Sequence, residues 1–205
     1  MRKIKLEFLH VSNLKRSERT RLEILDAAWD LIAQRGAAVS MSEIAAAVGM
    51  TRQSVYVHFG SRGGLLMALV RRADERFFIW EGFASAMEEA DPAERLDAVL
   101  AVWLDFVPKI HPVATDLIRL RATDEDAAGA WSDRMSELLK FYRGLVSGLK
   151  KEDALAAHWS IPRATDYLWA SSSVQAWDLL VRDRGWSEAS AGKTIRSTIA
   201  GALLK

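Results

Sequence analysis

The side chains of this 205-residue chain that could do chemistry are hydrogen-bonding groups at short spacing, not nucleophiles or metal ligands. Thr51-Arg52-Gln53-Ser54 places a helix-capping residue directly ahead of three side chains suited to base edges. Arg can fork onto guanine O6 and N7, Gln can pair with adenine, and Ser can bond either way. All three fall in the first turn of a short helix predicted through about His58, the turn that a recognition helix presents to the major groove. Ser40 and Ser42 begin the preceding helix, whose free N–H groups suit a phosphate. Such groups suit the base edges and phosphates of double-stranded DNA, though a solvated helix face carries the same residue types, and the elements must hold two short helices at one surface.

The elements follow from helical periodicity, which runs through almost the whole sequence. Residues 1–16 read as a mobile basic arm. A first helix spans about 18–34, with Ser17 as N-cap, Gly36 as its left-handed stop, and Ile24, Leu25, Ala28, Leu31 and Ile32 as its apolar stripe. Ser40 and Glu43 stand at capping-box spacing and open a short helix that ends before Gly49. Gly49 lets the chain reverse within a few residues, which favours positive φ. With the helix that Thr51 caps, this is a helix-turn-helix pattern. Ser61 caps a connecting helix over about 62–89. Asp91-Pro92-Ala93-Glu94 starts another, which carries Leu96, Val99, Leu100, Trp103 and Val107 and ends at Pro108. Further helices are expected at about 113–120, 125–149, 162–184 and 187–204. The reading is all-α with about nine helices: a helix-turn-helix domain over 17–62 and a helical domain over 63–205.

Composition narrows the function. Half of the residues are apolar, enough for a packed core, and the absence of Cys removes disulfides and thiolate chemistry. No uncharged apolar stretch approaches the roughly 18 residues of a membrane crossing, and residues 1–11 lack the continuous apolar core of a secretory signal. A cytoplasmic protein with no membrane association is expected. The net charge of +1 hides a split: residues 1–80 hold 13 Lys or Arg against 8 Asp or Glu, and the rest hold 15 against 19. A basic end beside an acidic body suits a polyanion at one end only. No zinc-protease helix, phosphate loop, dinucleotide glycine fingerprint or nucleophile elbow is present. Asp124-Glu125-Asp126 is explained by the dipole of the helix it opens. No enzyme activity, metal or cofactor is expected.

The segment from Thr51 to Arg62, with Ile24, Ala28 and Gly36 before it and Leu65-Leu66 after it, resembles the DNA-binding segment of the tetracycline-repressor family. Those proteins are bacterial, dimeric, one-component transcriptional regulators. The resemblance implies phosphate contacts for Tyr56 and Arg62, and often for the residue at His58. One departure stands out. The family usually follows Ser-Lys with acidic residues, whereas Ser61-Arg62 is followed here by Gly63-Gly64. The expected consequence is a looser first helical turn, by about 1 kcal/mol per glycine relative to Ala.

The resemblance also implies a homodimer built through the last two helices and an effector cavity between the middle helices. Ala164, Tyr167, Leu168, Ser171, Val174 and Gln175 recur at helical spacing on one of these last helices, and Ile195, Thr198, Ile199 and Ala202 on the other. For the cavity, the candidates are Phe83, Trp103, Phe106, Val107, His111, Trp131, Leu138, Tyr142, Trp169, Ser173 and Trp177. Seven of the eight Trp lie beyond residue 79, and indoles supply large apolar area with one donor each. The expected function is a repressor released from a palindromic operator by a small hydrophobic or aromatic effector. An activator of the same family stays open, as does a helical small-molecule-binding protein or enzyme with an incidental helix-turn-helix.

Overall fold

A computed structural model describes residues 16–36 and 38–205, so the basic arm expected at the N-terminus lies almost wholly outside the described residues. Four helices make the head: α1 (Arg16–Arg35), α2 (Met41–Ala47), α3 (Arg52–Phe59) and the start of α4 (Arg62–Phe77). Each short helix is fixed by its own cap. Ser40 and Glu43 form a reciprocal capping box on α2, and the Thr51 hydroxyl accepts from Ser54 N at 3.1 Å on α3. Gly49 turns the chain at φ 67° between them. Ile24, Leu25, Ala28 and Ile32 of α1 close over Ile44, Val55, Phe59 and Leu65, all buried.

The body contains α5 (Ile79–Ala86), α6 (Pro92–Leu120), α7 (Glu125–Lys151), α8 (Ile161–Ser171), α9 (Val174–Asp178) running into one π turn, and α10 (Glu188–Leu203). Helix α6 is the axis, sheathed by α1, α5, α7, α9 and α10. It is also the one helix among the described residues long and apolar enough to cross a membrane, and half of its most apolar window is buried inside the chain. No β-strand occurs among the described residues, where the only extended pairing is an isolated bridge between Leu155 and Leu204.

Four expected boundaries are corrected. Pro108 does not end its helix: α6 continues through Pro108 and Pro112 to Leu120. Each proline costs about 3 kcal/mol in a helix interior, but Phe106 and Val107 before them and Ile110, Val113, Ala114 and Leu117 after them are all buried. Packing on both sides holds the axis continuous. The connecting helix over 62–89, by contrast, is broken at Phe78, which adopts the left-handed conformation at φ 54° and is about half exposed. The bend turns Ile79 and Phe83 of α5 into the core. The helix expected over 162–184 breaks at Ser172, where Ser172 Oγ donates to the Leu168 carbonyl and Trp103 Nε1 donates to the Ser172 carbonyl at 2.6 Å. Ser17 lies inside α1 and is not its cap.

Candidate functional site

The exposed side of α3 and the N-terminus of α2 share one surface. Arg52, Gln53, Tyr56 and Val57 line one shallow recess with Gly60, and Ser40, Ser42, Arg52, Tyr56 and Arg62 line its neighbour. Arg52 Nη2 donates to the Tyr56 hydroxyl at 3.2 Å, and its guanidinium lies 5.3 Å from the centre of that ring. Val57 is 76% exposed. An aliphatic side chain left in water beside Arg and Gln offers the apolar contact that a thymine methyl takes. Its place on an otherwise polar helix face was the available signal, and spacing alone did not single it out.

Several expected contacts are already engaged. The hydroxyls of Thr51 and Ser54 lie 2.8 Å apart in the α3 cap, and the Ser40 hydroxyl bonds to Glu43. Bonds from Ser40 N and Oγ, with Arg35 close by, hold the Glu43 carboxyl down at about 2. The ring of His58 lies against Phe59 outside both recesses, while its carbonyl accepts from Arg21 at 2.5 Å. Arg62 is turned to the body: its Nη1 donates to Asp124 Oδ2 at 2.7 Å. Asp124, the N-cap of α7, therefore enters the basic surface. Its carboxyl is held below the usual carboxylate range by the Ala127 backbone N–H and by Arg62. Sequence position gave no sign that this acid lies here.

The Gly63-Gly64 pair meets close neighbours on both sides. A Cβ on Gly64 would stand 2.1 Å from the Phe59 carbonyl oxygen, and one on Gly63 would stand 2.5 Å from Asp126 Oδ1. The backbone carbonyl leaves no room for a side chain at Gly64, whereas at Gly63 the Asp126 carboxylate would have to move.

Inside the body lies a cavity of about 50 Å³ walled by α1, α4, α5, α6 and α7. Of the expected effector residues, Phe83, Trp103, Phe106, Trp131 and Leu138 line it. The others do not. Val107, Tyr142 and Trp177 are fully buried in the core. The Tyr142 hydroxyl lies 3.2 Å from Ser172 Oγ, and Ser173 caps α9. His111 Nε2 is 2.5 Å from Asp178 Oδ1, and Trp169 packs on the core from the outside. These residues build the break between α8 and α9 and its support, which periodicity cannot distinguish from a ligand wall. Trp29, Trp80, Asp74 and Arg134 line the cavity and were not anticipated. The signal for the last two was present: each is a charged residue at the spacing of its helix's apolar stripe, beside Val70 and Ala73 on α4 and beside Ala130, Trp131 and Leu138 on α7.

Asp74 and Arg134 form an ion pair at the cavity wall, and Trp80 Nε1 donates to Asp74 Oδ2 at 3.4 Å. Burial pushes the Asp74 carboxyl up to about 6 against the pull of Arg134.

The dimer faces are corrected in part. Ala164, Leu168, Val174, Ile195 and Ile199 are buried within the chain's own core. Tyr167, Ser171, Gln175, Thr198 and Ala202 keep exposed surface. One face of each of α8, α9 and α10 thus serves the chain itself.

Comparison with known proteins agrees with this geometry. The family model described as bacterial regulatory proteins, tetR family, matches residues 24–69. An uncharacterized HTH-type transcriptional regulator of Mycobacterium tuberculosis (strain CDC 1551 / Oshkosh) is 40% identical over 94 residues, 45% of this chain and 46% of that protein. The chain thus matches about half the length of that curated relative. A TetR-like transcriptional regulator from Rhodococcus sp. RHA1 superposes with a TM-score of 0.64 at 25% identity, covering 92% of this chain and 97% of its own. A transcriptional regulator from Saccharomonospora viridis, solved in complex with choline, gives 0.74 at 20% identity over 92% and 99%.

Proposed function

We propose that this chain, whose residues 24–69 match the tetR family model, is a transcriptional regulator of the tetracycline-repressor family, and that it is a repressor whose operator is released by a small effector held in the body. The observation that carries the reading is the surface shared by α2 and α3, where Arg52, Gln53, Tyr56 and Val57 stand beside Ser40, Ser42 and Arg62. Arg52 and Gln53 read bases. Ser40 and Ser42, at the amino end of α2, together with Tyr56 and Arg62, take phosphates. Thr51 and Ser54 act by fixing the helix that presents their neighbours.

A homodimer would seat two recognition helices about 34 Å apart on successive major-groove faces of a palindrome. Its contacts would come from the exposed parts of α8, α9 and α10, with Tyr167, Ser171, Gln175, Thr198 and Ala202 among them. The effector site is the indole-walled cavity, and effector binding would favour a head separation that misses the operator. Helix α4 is the transmitter: its start packs on α3, and Val70, Ala73 and Asp74 wall the cavity.

Binding of labelled genomic fragments across a salt series tests the reading. A footprint with two-fold symmetry is expected, with affinity falling steeply as salt rises because each phosphate contact releases counterions. Binding that ignores salt, or no footprint on any fragment, would overturn it.

A further inference from the structure

We propose that the effector is a small organic cation, an amine or quaternary ammonium on a short apolar or aromatic body, with its charge beside Asp74. This deepens the reading of the cavity as the effector site and rests on it. The walls supply two of the three things such a ligand needs. Indoles of Trp29, Trp80, Trp103 and Trp131 and phenyl rings of Phe83 and Phe106 surround the space. Their faces are electron-rich, and attraction for a cation grows when water is excluded. One wall already holds a cation this way, since the Arg134 guanidinium lies 5.6 Å from the Trp80 ring centre. The enclosed volume of about 50 Å³ takes a small ammonium head only, with the rest of the ligand towards the cavity's open side.

The third requirement is the sign of the charge. Arg134 is shared among three carboxylates: Asp74, Glu137 at 2.5 Å and Asp133 at 3.8 Å. Arg71 adds one more cation, 3.3 Å from Asp133. Three carboxylates against two guanidinium groups leave one negative charge unmatched. The next ring of charge is balanced, with Glu75 and Asp26 against Arg72 and Arg76. The contacts of Arg134 and Trp80 with Asp74 both fall on Oδ2. An incoming anion would have to compete with three carboxylates for one guanidinium. An incoming cation meets Asp74 at the oxygen those two contacts leave aside, while Arg134 Nε, buried without a partner, is an unmet donor in the same wall.

Proton linkage follows. Asp74 faces Arg134, Glu137 and Asp133 from α7, Trp80 Nε1 from α5, and Glu75 and Arg71 on its own helix; α6 and α1 turn only apolar side chains to the cavity. Burial and the neighbouring carboxylates keep its carboxyl partly protonated around pH 6. A cation seated at Oδ1 favours the ionised form, so its affinity rises with pH, by about tenfold between pH 5 and 7.

The test uses the full chain and its Trp emission. Three probes small enough for the cavity are titrated: butylammonium, its uncharged isostere pentane, and butyrate. The expected result is binding of the cation at least tenfold tighter than either other probe, strengthening from pH 5 to 7. Asp74→Asn should erase the preference. If that variant does not fold, the pH series on the unaltered chain decides. Equal binding of the isostere, tighter binding of the acid, or a flat pH series would overturn the cation while leaving the cavity as an effector site. No binding of any probe would overturn both.

Discussion

The head and the body solve the same folding problem at different ranges. In the head, each helix is fixed by residues within a few positions: Ser40 with Glu43, Thr51 with Ser54, Ser61 with Gly64. In the body, the deciding contacts join residues far apart in sequence: Trp103 with Ser172, His111 with Asp178, Asp74 with Arg134. The head therefore presents a surface whose layout is written locally. The body's cavity exists only once five helices have met. Substitutions should separate the two regimes.

The largest effect belongs to the body. Trp103→Ala removes a buried indole from the cavity wall and the donor that satisfies the Ser172 carbonyl at the break between α8 and α9. We expect a loss of about 3–5 kcal/mol, measured by denaturant unfolding. The α3 contacts, lying elsewhere, should survive in whatever fraction stays folded. If DNA affinity per folded molecule fell as well, the two regions would be one cooperative unit.

Next comes the seam. Gly64→Ala places a Cβ where the Phe59 carbonyl stands, so α3 or α4 must shift. We expect about 2–4 kcal/mol of destabilisation, with DNA binding lost even at temperatures where the chain is folded. Gly129→Ala, at a helical position with open space around it, is the matched control and should be neutral or slightly stabilising.

At the surface the effects are smaller and differ in kind. Arg52→Ala should cost about 1–3 kcal/mol of discrimination at one base position, read by competition among operator variants. Arg62→Ala should weaken all sequences alike. Asp124→Asn keeps an N-cap on α7 while removing the negative charge that now holds Arg62. It should tighten binding to every sequence and steepen the salt dependence. If it weakens binding instead, the pair serves to hold the head to the body and not to restrain Arg62.

The same contrast accounts for what the sequence made legible. Capping boxes, Gly49 and the Thr51–Arg62 segment identified the head almost residue by residue, because caps and turns are local chemistry. The break at Phe78 was invisible, since a non-glycine left-handed residue has no sequence mark. Pro108 misled for the opposite reason: its local preference was real but was outweighed by Phe106, Val107, Ile110 and Val113 packing on either side. Large aromatics in the body were recognisable as a group, yet which walled a cavity and which supported a helix break depended on contacts of long sequence separation. Trp29 shows this best, since it sits on a helix of the head and lines the cavity of the body.

Protonation divides the regions by sign, and here the slope of stability against pH is the readout. Glu43 in the head is held at about 2, below its ordinary value, by bonds from Ser40 and by Arg35. The folded state thus prefers it ionised, so its contribution is complete above about pH 4.5 and is lost as pH falls towards 2. Asp74 in the body is raised to about 6 by burial. There the folded state takes up a proton that the unfolded chain does not hold, so stability rises as pH falls from about 6 towards 4. Thermal unfolding across pH should therefore show two opposed limbs. Glu43→Gln should flatten only the acid limb, and Asp74→Asn only the one near neutrality. Both limbs responding to either substitution would mean that the two carboxyls titrate as a coupled set, through α1 and α4, and that the local rule governing the head does not isolate it from the body.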